Sequence, residues 1–250
     1  MIVWALFDSG NGSYFKSAQK FEEIEIYSIG LDIENKNDHF INLNLADYSY
    51  LFKDNTLFDT LDKLPKPDLI IASPPCESWS IGSTIKDGNA CWKQQKGDSL
   101  FEPQEPLSKF TLRDYVDFEN YQYIPENQLV TRINGELCAF NMIQIIRKYN
   151  PNYYIIENPL TSKLWDYIEK ILGFNIPYEN KTYYMNYEYP IAKPTKFKSN
   201  IDLQLNYTTP PKAEKDFRFM SWSYNERSNI PEKLVDEIFE KVIKENKHDI

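Results

Sequence analysis

Residues 68–80 constrain the fold more than any other stretch. They read Asp-Leu-Ile-Ile-Ala-Ser-Pro-Pro-Cys-Glu-Ser-Trp-Ser. A short apolar run with β-branched members is the pattern of a strand buried in a parallel sheet. Pro74 and Pro75 end it abruptly, because neither donates to a ladder and each fixes its own φ. Cys76 is thereby set at the C-terminal edge of the expected sheet, the edge at which open α/β sheets bind their ligands. A thiol held there by stiff backbone is placed like a nucleophile; a buried, inert cysteine is the other reading of the same residues.

A second strand end carries similar chemistry. Tyr153-Tyr154-Ile155-Ile156 runs into Glu157-Asn158-Pro159, so a carboxylate and an amide again stop against a proline. Around these two strands the chain alternates strand and helix candidates. Residues 2–7 form an apolar run that enters Asp8-Ser9-Gly10-Asn11-Gly12-Ser13 and then a helix-like stretch, 14–20. Glycine permits close approach to a ligand and positive φ, so strand, glycine turn and helix suit a nucleotide-type cofactor, although the third glycine of the full fingerprint is missing. Residues 25–31 read as the next strand, ending at Asp32, where a carboxylate can accept from ribose hydroxyls. Helices are expected over 55–64, 137–149, 163–172 and 232–244, and a loosely alternating strand over 182–189. This alternation predicts an α/β fold with a mostly parallel sheet.

Here the chain resembles the C5-cytosine DNA methyltransferases, and most closely their short phage-type members. Four motifs carry the likeness in family order: Leu6 to Gly12 (Leu-Phe-x-x-Gly-x-Gly), Ser73-Pro74-Pro75-Cys76, Glu157-Asn158-Pro159 and Lys193-Pro194-Thr195. The resemblance implies a class I S-adenosylmethionine-dependent methyltransferase fold: a Rossmann-like, mixed, mostly parallel seven-stranded sheet with helices on both faces. It implies a single catalytic domain over residues 1–250, with a C-terminal helix, 231–245, returning beside the first strand. The implied reaction is methyl transfer from S-adenosyl-L-methionine to C5 of a cytosine flipped out of DNA, through a covalent cysteine adduct. In that reading Cys76 is the nucleophile, Glu157 the partner of ring N3 and Asn158 the holder of the local backbone. The cofactor is placed against Phe7, Asp8, Ser9, Gly10, Asn11, Gly12, Ser13, Asp32, Ile33, Asp47, Pro74 and Pro75.

Other stretches depart from the family. Residues 82–135 show no clean periodicity, hold six aromatics between Phe101 and Tyr123, and carry six basic against eight acidic side chains. A segment this long reads as an insertion, either a lid or substrate-recognition element or a structural elaboration. Residues 181–225 leave little room for the target-recognition domain of typical relatives. Four lysines against Glu188 between positions 181 and 200 make the clearest basic island. Lys193, Thr195, Lys196 and Lys198 are its candidate nucleic-acid contacts, and lysine suits phosphate contact better than bidentate base recognition.

Net charge is -9, which argues against a uniformly basic coat but leaves room for a local stripe. Cys76, Cys91 and Cys138 make no metal or disulfide spacing, and no metal is expected. The start, Met-Ile-Val-Trp, lacks the basic region of a signal peptide, and no apolar run approaches about 18 residues, so the expectation is a soluble cytoplasmic protein of phage or restriction-modification type. Two rival readings share the motifs. Amino-group methyltransferases, acting on N4 of cytosine or N6 of adenine, carry a Pro-Pro pair followed by an aromatic, and an RNA methyltransferase is a further variant. A catalytically inactive member of the fold that binds nucleic acid or protein is the other class.

Overall fold

The computed structural model describes residues 1–9, 12–31, 38–79, 92–94, 101–103, 125–211 and 229–248. The apolar runs at residues 2–6 and 69–72 are strands because both of their faces find cover. β1 (Ile2–Leu6) and β4 (Leu69–Ala72) lie side by side in parallel, with Val3 opposite Leu69 and Leu6 opposite Ala72. Val3, Ala5, Leu69 and Ile71 point into one core, against Tyr14 and Ala18 of α1 (Ser13–Ala18) and Leu234, Val235, Ile238 and Phe239 of α5 (Glu232–His248). Trp4, Leu6, Ile70 and Ala72 point into the other. They meet Leu57 and Leu61 of α2 (Thr56–Leu61), Met142 and Ile146 of α3 (Pro125–Tyr149), and Leu164 of α4 (Leu164–Asp166). Each such side chain, fully buried, contributes roughly 1.5–3 kcal/mol.

The remaining strands extend this centre. β2 (Glu25–Gly30) and β3 (Phe40–Asn42) add in parallel on one side, and β7 (Tyr153–Pro159) pairs in parallel with β4 on the other. β9 (Pro194–Ser199) runs antiparallel to β7 and to β8 (Tyr178–Tyr183), giving a seven-stranded sheet in the order β3-β2-β1-β4-β7-β9-β8. β5 (Trp92–Gln94) and β6 (Phe101–Pro103) form a separate antiparallel pair. The expected class I methyltransferase fold is therefore present: seven strands, mostly parallel, helices on both faces.

The structure differs from the local readings in four places. β9 was not anticipated, because its lysines read as a polar island; they become strand residues by pairing on both sides. The strand expected over 182–189 lies earlier, and residues Tyr184–Tyr187 form a 3-10 turn instead. The helix expected from residue 137 begins at Pro125, and its early turns leave Val130 and Ile133 exposed, so no apolar period announced them. Likewise α4 gives way to a π turn at Tyr167–Ile171 within the helix expected over 163–172. Of the insertion, residues 82–91, 95–100 and 104–124 lie outside the described residues, as do 212–228 of the reduced recognition region.

Candidate active site

The site is built where β1, β4 and β7 end together. Because Ala72 sits opposite Ile156, the chain leaving β4 at Ser73 and the next residue of β7, Glu157, stand side by side. Asn158 ties the two ends: its Nδ2 donates to the carbonyl of Pro74 at 2.9 Å. Asn158 is 1% exposed, and its Oδ1 has no hydrogen-bond partner among the described residues. The turn after Pro75 is closed by Trp79 N donating to Cys76 O at 3.0 Å, and Lys163 N then donates to Trp79 O at 2.9 Å. α3 presses on this turn at Gly135, where a Cβ would fall 2.1 Å from Ser78 Oγ. Glycine there lets the helix back the Cys76 loop directly.

Cys76 is half-buried, and burial pushes its thiol above the ordinary range, with the Glu157 charge adding to the rise and Lys193 opposing it. Glu157 is 8% exposed. Burial raises its carboxyl too, against the pull of Lys193 and of hydrogen bonds from Tyr184 and Ser73. Tyr184 OH donates to Glu157 Oε1 at 3.0 Å, and Ser73 Oγ lies 2.6 Å from Tyr14 OH. Lys193 is itself lowered by burial, with Glu157 and Cys76 working against that. Its Nζ stands 4.6 Å from the centre of the Tyr184 ring, and its backbone is left-handed at φ 33°. The Cys76 thiol, the Glu157 carboxyl and the Lys193 amine thus form one electrostatic group.

The glycine turn lies beside it. Phe7 takes a left-handed φ of 63°, turning the chain sharply out of β1 into Asp8 and Ser9. Asp8 is buried, and Ser28 Oγ donates to its Oδ2 at 2.6 Å. Two glycines make room for it: a Cβ on Gly12 would meet Asp8 Oδ1 at 2.7 Å, and one on Gly30 would meet Asp8 O at 2.8 Å. Ser13 donates to Ile230 O and so is committed to the segment before α5. Gly10, Asn11, Asp32 and Ile33 lie outside the described residues. Asp47 caps its own turn, accepting from Ser49 N at 3.3 Å and Ser49 Oγ at 2.7 Å. That turn is anchored by Asn141 of α3, whose Nδ2 donates to Leu45 O and Asp47 O at 2.8 and 2.7 Å.

The four expected nucleic-acid contacts separate. Lys193 faces Glu157 and Cys76. Thr195 is fully buried, and Lys198 is 4% exposed, so neither presents its side chain to solvent. Lys196 and Lys198 reach Glu179 Oε1 at 3.0 and 3.1 Å, and Lys198 also bonds Glu169. Sequence reasoning assigned no role to Tyr14, Ser73, Tyr184 or Asn141. Ser73 stood inside a quoted motif, and Tyr14 followed the glycine turn; Tyr184, in a tyrosine-rich run, carried no signal at all.

Comparison with known proteins places solved methyltransferases among the structural neighbours. An E. coli prophage protein described as a DNA modification methyltransferase is 12% identical, with 80% of this chain and 46% of that one covered at a TM-score of 0.43. The Entamoeba histolytica methyltransferase EhMeth is 13% identical, with 85% and 57% covered at 0.43. A mutant of DNMT2 from Spodoptera frugiperda is 16% identical, with 86% and 56% covered at 0.39. The chain spans about half the length of these structures. No family model matches it. No curated protein matches it either. By strand order and direction the fold is that of a class I methyltransferase, with Cys76 in the turn after β4 and Glu157 near the C-terminal end of the neighbouring β7, at the edge where such sheets bind ligands.

Proposed function

We propose that this chain methylates C5 of cytosine in a nucleic acid, with DNA as the expected substrate, through a covalent adduct on Cys76. The observation that carries the reading is the nearness of Cys76, in the turn after β4, to Glu157, near the C-terminal end of β7, with Asn158 tying the two segments. C5 of cytosine is a poor nucleophile, and a thiolate added at C6 makes the ring an enamine that reacts at C5. Cys76, as the thiolate, forms that C6–S bond while the C5=C6 π pair moves into the ring, and Glu157, its carboxyl raised by burial, donates to N3 where the negative charge gathers. Solvent water then takes the C5 proton, and the electron pair of that C–H bond re-forms C5=C6, expelling Cys76 as the thiolate and restoring the aromatic ring. Lys193 lowers the cost of that thiolate from within the same pocket.

S-adenosyl-L-methionine, when bound, supplies an electrophilic methyl group on a sulfonium. The residues fit such a donor: the left-handed Phe7, the buried Asp8 and the glycines crowded against it shape a tight polar turn at the end of β1, one strand from Cys76. Phe7, Asp8, Ser9, Gly12 and the Asp47 turn are the described residues that would hold it, with Gly10, Asn11, Asp32 and Ile33 completing the set. The target base has to leave a duplex to reach Cys76 and Glu157.

The test is transfer of tritiated methyl groups to DNA and to RNA, with wild type and Cys76→Ala. Incorporation at C5 by the wild type, its loss in the variant, and a denaturant-stable complex with DNA carrying 5-fluorocytosine are expected. Methylation that survives Cys76→Ala, or that falls on an exocyclic amine, overturns the covalent mechanism in favour of amino transfer.

A further inference from the structure

We propose that Tyr184 and the Tyr14–Ser73 pair are positioning residues that bracket Glu157 with hydroxyl groups and set the pH at which it gives up its proton. The proposal rests on the methyl-transfer reading for its consequence, and on geometry for its substance.

Glu157 lies near the C-terminal end of the central strand β7, and a carboxyl group buried there is costly unless its oxygens are bonded. The bonds come from three separate elements. Tyr184, in the turn after β8, is 0% exposed and reaches Oε1 at 3.0 Å. Ser73, at the exit of β4, is hydrogen-bonded to the same carboxyl. Tyr14, on α1 and 4% exposed, braces Ser73 with a 2.6 Å bond between their hydroxyls. Packing alone does not demand this: phenylalanine would fill the same volume at positions 14 and 184 without placing an O–H at either.

Hydroxyls suit a group that must both hold and release a proton. Each is donor and acceptor at once, so it donates to the carboxylate and can turn to accept from the acid. Lysine, which only donates, favours the charged form alone. Around Glu157 the charged and titratable groups are Lys193 at the start of β9, Cys76 after β4, Tyr14 on α1 and Tyr184 after β8. Asp8, beyond Tyr14, adds negative charge on that side. Burial, followed by the nearby Glu157 charge, holds both phenols well above their ordinary range, so they stay protonated and available. Donors to a carboxylate favour ionisation, and removing one raises the pH of proton release.

Titration of Glu157, followed by NMR of protein with carboxyl-labelled glutamate and assigned through Glu157→Gln, tests the bracket directly. Tyr184→Phe should raise the midpoint by roughly one unit, the scale of one lost donor. Tyr14→Phe, acting through Ser73, should raise it less. The pH profile of kcat should move the same way, with KM for DNA unchanged. If Tyr184→Phe fails to fold, Ser73→Ala provides the same reading. Midpoints that coincide with wild type in the variants overturn the proposal. A shifted midpoint in a protein that transfers no methyl group upholds the bracket and overturns the reaction assigned to the site.

Discussion

Two carboxylates face lysines on and just before β9, and they shift in opposite directions. Glu179, on β8, lies near the sheet edge with a side chain 40% exposed. Burial would raise it, but hydrogen bonds from Lys196 and Lys198 prevail and hold it at about 2. Glu157 sits two strands over, across β9, and the cation beside it among the described residues is Lys193, itself weakened by burial. There desolvation wins and the carboxyl is raised. Lys196 and Lys198 on β9 serve one site and Lys193, just before that strand, the other; the outcome turns on how many reach the carboxylate and how much water remains. Glu179 is a stabilised anion; Glu157 is a carboxyl whose charge is disfavoured by burial.

Exchanging each acid for its amide sharpens this contrast most. Glu157→Gln should cut methyl transfer by roughly 10²–10⁴, the usual contribution of a positioned acid, while leaving the fold intact. Glu179→Gln should leave the rate within a few-fold and weaken the fold instead. A Glu157→Gln enzyme with wild-type rate would show that the two acids do not differ in kind.

Removing the weaker cation comes next. Lys193→Met deletes the group that opposes the rise of both Cys76 and Glu157. The pH giving half-maximal activity should move upward, and the rate at neutral pH should fall about tenfold, as expected for roughly one unit on the nucleophile. A rate profile over pH 6–10 checks this, and an unmoved profile removes Lys193 from the electrostatic group.

The two acids also bend the stability curve in opposite directions. A carboxyl lowered on folding contributes stability above its ordinary value, here 4.5, and loses it as pH falls towards 2. Screening at this half-open site reduces the Glu179 contribution to about 1 kcal/mol. Glu157, raised on folding, costs stability as pH climbs from 4.5 through its raised value. Urea midpoints from pH 2 to 7 should therefore flatten at the acid end in Glu179→Gln and rise at the neutral end in Glu157→Gln.

The smallest effect concerns nucleic acid. Lys196→Gln and Lys198→Gln should change DNA affinity by less than about twofold and leave its salt slope unaltered, since a lysine spent on internal glutamates releases no counterions on binding. A steeper loss would return these residues to the role first read for them.

What was legible in the sequence follows from how locally each feature is determined. β1, β4 and β7 announced themselves because strands buried on both faces must be apolar throughout, and their ends were marked by glycine or proline. The pairing of Cys76 with Glu157 was legible because motifs at strand ends inherit their neighbours from strand order. β9 was hidden because Lys196 and Lys198 are strand residues only once Glu179 and Glu169 neutralise them. Tyr14, Tyr184 and Asn141 were hidden for the same reason: each acts through a partner distant in sequence, Glu157 lying 27 residues from Tyr184 and Leu45 96 residues from Asn141. The glycine at position 135 had no visible purpose until Ser78 lay against it.

The clasp between α1 and α5 has a consequence for how the chain is made. Ser13 and Ser17 donate to Ile230 O and Glu232 O, 217 and 215 residues downstream, and Lys20 pairs with Asp236. Much of one face of β1 and β4 is covered by the side chains of Leu234, Val235, Ile238 and Phe239, beside Tyr14 and Ala18 of α1. During synthesis that face stays uncovered while the intervening residues emerge, at 5–20 residues per second a wait of roughly 10–40 s. A ribosome therefore holds an open apolar sheet for that time, and a nascent chain stopped short of residue 230 is the form of this protein most in need of a chaperone.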